Sequence, residues 1–207
     1  MNDSDLAMPE LAGVEVHGMT RSAFVLRGAL AAGAVYGAGV VGPFVSEALA
    51  QSGGGDTDIL NFALTLEYLE AAFYKKAQTL GLSSKAAALA KLLGDEEQQH
   101  VTTLTQTIGQ LGGKPVAAPT VVFPLSGEAS FLKLAQTFED TGVSAYNGAA
   151  PQISSKDVLA AAGSIVQVEA RHAAAIRLLA GQPPAPDAFD KPLAKQQVLV
   201  AVKPFIK

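Results

Sequence analysis

Asp95-Glu96-Glu97-Gln98-Gln99-His100 and Gln167-Val168-Glu169-Ala170-Arg171-His172 each place a glutamate three residues before a histidine. Glu67 lies thirty residues before Glu97, and Glu139 lies thirty before Glu169. The two sets are therefore offset by seventy-two residues at all three positions. Residues three apart share one face of a helix, and in both segments that face is otherwise apolar. Ala86, Ala90, Leu93, Leu104, Ile108 and Leu111 accompany Glu97 and His100, while Val158, Ala162, Ile165, Ile176 and Leu179 accompany Glu169 and His172. The pattern turns Glu97, Glu169 and the two imidazoles toward a helical core.

Burying ionised carboxylates costs several kcal/mol each unless a partner offsets it. Two divalent cations would neutralise four glutamates. Glu97 and Glu169 would bridge the ions, Glu67 and Glu139 would be terminal ligands, and His100 and His172 would each give one ring nitrogen. This oxygen-and-nitrogen set suits two iron ions, or manganese, with positions left for oxygen or peroxide. A single Glu-x-x-His in an alanine-rich helix is ordinarily solvated surface. Here both histidines outside the first fifty residues occupy the motif, each with a matched upstream glutamate. The competing reading is a decayed site held together by core hydrogen bonds.

Three further residues are candidates for a supporting role. Tyr74 and Tyr146 each follow a ligand glutamate by seven residues. They hydrogen-bond a ligand or relay electrons, or else they are core aromatics with satisfied hydroxyls. Glu70 lies one turn after Glu67, and its counterpart is Gly142. It could accept from a ligand histidine, serve a third site, or be an exposed charge, which is the simplest reading. Asp95 and Glu96 read as the solvated side of their helix.

Composition narrows the alternatives. The 207 residues include 16% charged and 6% aromatic residues, with a formal charge of −4 and no cysteine. An apolar, alanine-rich chain of this length suits a packed helical domain. The lack of a basic footprint argues against nucleic acid as a partner. Without thiols, disulfides, iron–sulfur clusters and zinc-thiolate sites are excluded.

Residues 1–50 read as an export signal or N-terminal anchor. Arg21 and Arg27 precede an uncharged Ala/Gly/Val stretch from Gly28 to Ser46, and Ala48-Leu49-Ala50 has the small-x-small form of a signal peptidase site. Thr20-Arg21-Ser22-Ala23-Phe24-Val25-Leu26 resembles a twin-arginine motif with Ser22 in place of the second arginine. A periplasmic, cell-envelope or secreted location follows, with a membrane association only if this segment is retained. His17 in the leader reads as solvated. Residues 51–55 form a flexible joint.

Four helices are expected after it: about 56–80 with Asp56 as N-cap, from Ser83 or Ser84 to Gly112-Gly113, 128–147 ending before Gly148, and from Ser154 to before Gly181, with Ser154 and Asp157 as a capping box. Short turns make each consecutive pair an antiparallel hairpin. The connection from Gly112 to Gly127 holds three prolines and reaches roughly 50 Å when extended. The second helix is only about 42 Å long, so the crossover can run the length of the bundle. The expected fold is all-α, a four-helix bundle of two hairpins over residues 56–182. The repeat implies an approximate two-fold axis along its core.

These residues resemble the ferritin-like superfamily of di-iron carboxylate proteins, with the ligand pattern of bacterioferritin and rubrerythrin. More closely they are similar to exported bacterial ferritin-like proteins labelled desiccation-related, in the stretch Asp58-Ile59-Leu60-Asn61-Phe62-Ala63-Leu64-Thr65-Leu66-Glu67-Tyr68-Leu69-Glu70 and in the tail from Asp187 to Ile206. The resemblance implies iron at the bundle's centre and ferroxidase, oxygen or peroxide chemistry, in stress or iron homeostasis. A metal-sequestering or desiccation-protective bundle without turnover is the rival. A homo-oligomer is open, but a ferritin cage is not implied. The proline-rich tail, residues 183–207, is expected to lie across the bundle through Phe189, Val198, Val200 and Phe205.

Overall fold

The computed structural model describes residues 55–207. The expected leader, with His17, the Thr20–Leu26 motif and the Ala48-Leu49-Ala50 site, lies outside the described residues, as does most of the glycine joint. Five α-helices follow in order: α1 (Asp56–Ala77), α2 (Ser84–Gln110), α3 (Glu128–Ala149), α4 (Lys156–Leu179) and α5 (Lys195–Val202). Among the described residues there is no strand, only an isolated antiparallel bridge between Val121 and Ile206. None of these helices is long and apolar enough to cross a membrane.

Helix ends differ from expectation for identifiable reasons. Asp56 is not the N-cap of α1; Gly55 is. The Asp56 carboxylate instead accepts from the Ser154 and Ser155 backbone N–H groups at 2.7 and 2.8 Å, tying the start of α1 to the start of α4. Helix α1 stops at Ala77 because Thr79 and Leu80 donate three residues back, tightening the last turn. Of the two expected starts of α2, Ser83 or Ser84, Ser83 is the cap and its side chain accepts from the Ala86 N–H. In α4 the cap is Ser155, accepting from Val158, and not Ser154 with Asp157. Helix α3 runs through Gly148, where the missing side chain makes room for the tail: the Leu193 carbonyl occupies the place a Cβ at 148 would take.

Helix α1 packs chiefly on α2 and α3 on α4, and α1 also meets α3 while α2 meets α4. Ser83, at the start of α2, donates to Glu128 at the start of α3 through both its N–H and its hydroxyl. The crossover therefore carries the chain from one end of the bundle to the other, and α3 runs antiparallel to α1. Two hairpins so arranged are related by an axis across the helices. The expected axis along the core is corrected accordingly.

Asn61 holds the start of the crossover, donating to the Lys114 carbonyl and accepting from the Val116 N–H. Phe123 holds its far part, edge-on to Phe73 and Phe138. The tail then clips it: Val122 donates to the Phe205 carbonyl and Lys207 to that of Thr120. Val198 and Val202 of α5 are buried and Phe205 packs edge-on against Phe138. Phe189 and Val200, expected as tail contacts, are more than half exposed. Val200 points away because the inward stripe of α5 is Val198 and Val202, four residues apart.

Two apolar clusters fill the bundle, one around Phe73, Phe131, Phe138 and Leu93, the other around Leu64, Leu104, Ile108 and Ile165. Glu67, Glu97, Glu139 and Glu169 come at the boundary between these clusters along their helices.

Candidate metal centre

Each of the four long helices delivers one fully buried glutamate to this layer: Glu67, Glu97, Glu139 and Glu169. His100 and His172 arrive one turn after their glutamates on α2 and α4. All six side chains meet. One group is Glu67, Glu97, His100 and Glu169; the other is Glu97, Glu139, Glu169 and His172. Glu97 and Glu169 belong to both groups, and within each group the nearest donor atoms lie within 4.8 Å of one another. Ligands on opposite sides of a six-coordinate ion sit roughly 4.2 Å apart, so a small contraction would close either group around an ion.

The donor atoms face a shared space more than they satisfy each other. His172 Nδ1 is 2.8 Å from Glu97 Oε1 and 3.3 Å from Glu139 Oε2. Yet His172 Nδ1, Glu97 Oε1, Glu139 Oε2 and both Glu169 oxygens have no hydrogen-bond partner among the described residues. Buried polar atoms normally find partners. A cluster of five that does not is what residues fitted to a cation present, so the donor set fits a metal ion.

Electrostatics say the same. Burial raises Glu67 to about 7 despite the lowering effect of His100 beside it. Glu139 and Glu169 are also raised, first by burial and then by neighbouring carboxylates. Burial alone would lower His100, but Glu169, Glu67 and Glu97 outweigh it and push the imidazole up to about 12. Glu139 and Glu97 push His172 up to about 11 in the same way. The pocket demands positive charge.

The surrounding residues pack tightly around these carboxylates. Tyr146 on α3 donates to Glu67 Oε1 at 2.5 Å, and Tyr74 on α1 donates to Glu139 Oε1. The tyrosines hydrogen-bond the glutamate of the facing helix, not that of their own. Burial and the adjacent carboxylate raise both phenols well above 10, keeping them as donors.

Glu70 is not an exposed charge: it is 2% accessible. Burial, then Glu169 and the other carboxylates, raise its pKa. It fits because Gly142 has no side chain; a Cβ there would lie 3.2 Å from both Glu70 Oε1 and Glu169 Oε2. Its place on the helical stripe of Ile59, Ala63, Leu66, Phe73 and Ala77 was the available signal. Glu96 is also more than a solvated charge. Its Oε2 lies 2.7 Å from His172 Nε2, across from α2 to α4. The repeat gave no hint of this, because the counterpart of Glu96 is Val168. Asp95 is exposed and pairs with Lys91.

The profile of the ferritin-like domain family matches residues 55–182. None of the curated proteins compared with this chain matches it. Among solved structures, a conserved hypothetical protein, rv2844, from Mycobacterium tuberculosis is similar, with a TM-score of 0.56 and 20% identity. The alignment covers 65% of this chain and 96% of that one, and at such identity it speaks for the fold.

Proposed function

Because this chain belongs to the ferritin-like domain family, we propose that it is an exported di-iron protein that binds two iron ions, or manganese, and oxidises ferrous iron with oxygen or peroxide. The observation that carries the reading is the sharing of Glu97 and Glu169 between two carboxylate–histidine groups in which one oxygen of Glu97, one of Glu139 and both of Glu169 are buried without a hydrogen-bond partner. Each ferrous ion supplies one electron, so a pair reduces one hydrogen peroxide, with two protons, to two waters. The chain's own part is to hold and screen. Glu97 and Glu169 stand between the two positions, Tyr146 and Tyr74 fix the terminal carboxylates by hydrogen bonds, and the apolar clusters flanking the layer exclude water along the bundle. Such positioning in a dry site is what a protein contributes to metal chemistry.

The test is addition of ferrous iron to the full chain with oxygen or peroxide, following oxidant consumption and ferric absorbance. Repeated turnover, lost in Glu97→Ala and His172→Ala variants that stay helical, supports oxidation. Uptake of two ions without turnover favours the sequestering, stress-protective reading. No uptake overturns both. Export is tested separately, by locating the chain in cell fractions with and without residues 1–50.

A further inference from the structure

A cleft of about 380 Å³ opens between α2 and α4 beside the centre. Glu96, Gln99 and Thr103 line it from α2, Ser164 and Val168 from α4, and His100 also reaches it. His100 is the most accessible of the six clustered side chains, at 9%. No lysine or arginine lines the cleft. The opposite side, between α1 and α3, is closed by Tyr74, Tyr146 and Glu70, all buried.

The two halves of the centre meet this cleft differently. His172 has its Nε2 bonded to Glu96 and its Nδ1 facing Glu97 and Glu139, so its outer edge is anchored while its inner edge faces the carboxylates. The seventy-two-residue repeat puts Val168 where a matching carboxylate would hold His100, and Val168 lines the cleft instead. The local symmetry is broken at the wall where the bundle is open. Six waters around a cation occupy roughly 180 Å³ at liquid density, which the cleft accommodates.

We infer that this cleft is the loading port of the centre. A hydrated divalent cation docks between the Glu96 carboxylate and His100, sheds water against Gln99, Thr103 and Ser164, and passes into the group formed by Glu67, Glu97, His100 and Glu169. That half exchanges its ion faster than the His172 half. The inference rests on the dinuclear reading above and adds a route and an order of filling.

Cobalt(II) uptake by the full chain, read by visible absorbance in stopped flow, tests it. Ser164→Phe fills the cleft, and Gln99→Lys puts a like charge at an exposed position on its wall. Each should still take up two cobalt ions but load more slowly, by about tenfold for the charge substitution at low salt. Chelator-driven release from the parent should be biphasic, with one ion per phase, and Gln99→Lys should slow the fast phase. Loading at the parental rate in both variants would overturn the port while leaving the dinuclear reading intact. A parent that takes up no cobalt would overturn both. Should Ser164→Phe lose helicity, Gln99→Lys alone decides.

Discussion

Tyr146 on α3 hydrogen-bonds Glu67 on α1 at 2.5 Å, and the relationship is returned by Tyr74 on α1 with Glu139 on α3. Because the two helices are antiparallel, residues whose numbers rise on one and fall on the other face each other, and each phenol reaches the other helix's carboxylate. Losing a donor to a buried carboxylate costs about 1–3 kcal/mol, and losing an outer partner of a metal ligand typically weakens affinity 10–100-fold. Tyr146→Phe should therefore lower metal affinity by about tenfold without changing the number of ions bound. Calorimetric titration checks both quantities.

Protein stripped of metal with a chelator should lose stability as pH rises. Glu67 titrates near 7 in the fold against an ordinary value of 4.5, so its contribution is complete below about 4.5 and disappears as pH passes through 7. His100 and His172 are raised to about 12 and 11 from 6.5. Their contributions are complete below 6.5 and decline above it, with the same sign. Thermal melts should fall between pH 5 and pH 8. Saturating metal should reverse the trend, since the cation replaces protons on the same atoms; titration in buffers of different ionisation enthalpy should show proton release on binding.

Most of the bundle could be read from periodicity because Glu97, His100, Glu169 and His172 sit on the same stripes as Leu93, Leu104, Ile165 and Ile176. One pattern thus announces both core and centre. What escaped reading has a common cause. Glu96, Gly148 and the two-fold axis depend on how helices meet, and a single-helix pattern is blind to that. Glu96 lies about 100° around α2 from Glu97, so on its own helix it looks solvated; only α4 makes it a partner of His172. Gly148 looks like a helix stop until Leu193 is seen to cross it.

Gly142→Ala sets two effects against each other. Alanine in place of a mid-helix glycine favours the helix by about 1 kcal/mol, but its Cβ would crowd Glu70 and Glu169 at 3.2 Å. The carboxylates must give by a few tenths of an ångström, and Glu169 belongs to both donor groups. Thermal stability of the stripped protein should hardly change, while binding of both ions weakens together. Equal weakening in a Glu70→Ala, Gly142→Ala double variant would sink the crowding explanation, because the extra space should relieve it.

Glu96→Ala should act on one half of the centre. It removes the acceptor of His172 Nε2, so the ring loses its orientation and one of the two ions should bind about 10–100-fold more weakly. Glu96→Gln keeps an acceptor oxygen and should recover much of that loss. Two-site titration curves separate the ions; equal loss of equilibrium affinity at both would contradict the loss of His172 orientation as the cause, whereas the part Glu96 plays in loading is read in rates.

Gly148→Ala tests the tail rather than the centre. The Leu193 carbonyl lies where the new Cβ must go, and Leu193 is fixed by its N–H bond to the Ser144 carbonyl at 3.0 Å. A rigid backbone cannot yield as a flexible side chain can, so the tail has to lift from α3, loosening the burial of Val198 and Val202. Overpacking of this kind costs about 1–3 kcal/mol, more than the helix gains from alanine. The melting temperature should drop, and proteolysis should begin in residues 183–207. Metal stoichiometry should stay at the parental value, because the carboxylate layer is held by α1 to α4 and by none of the tail's residues.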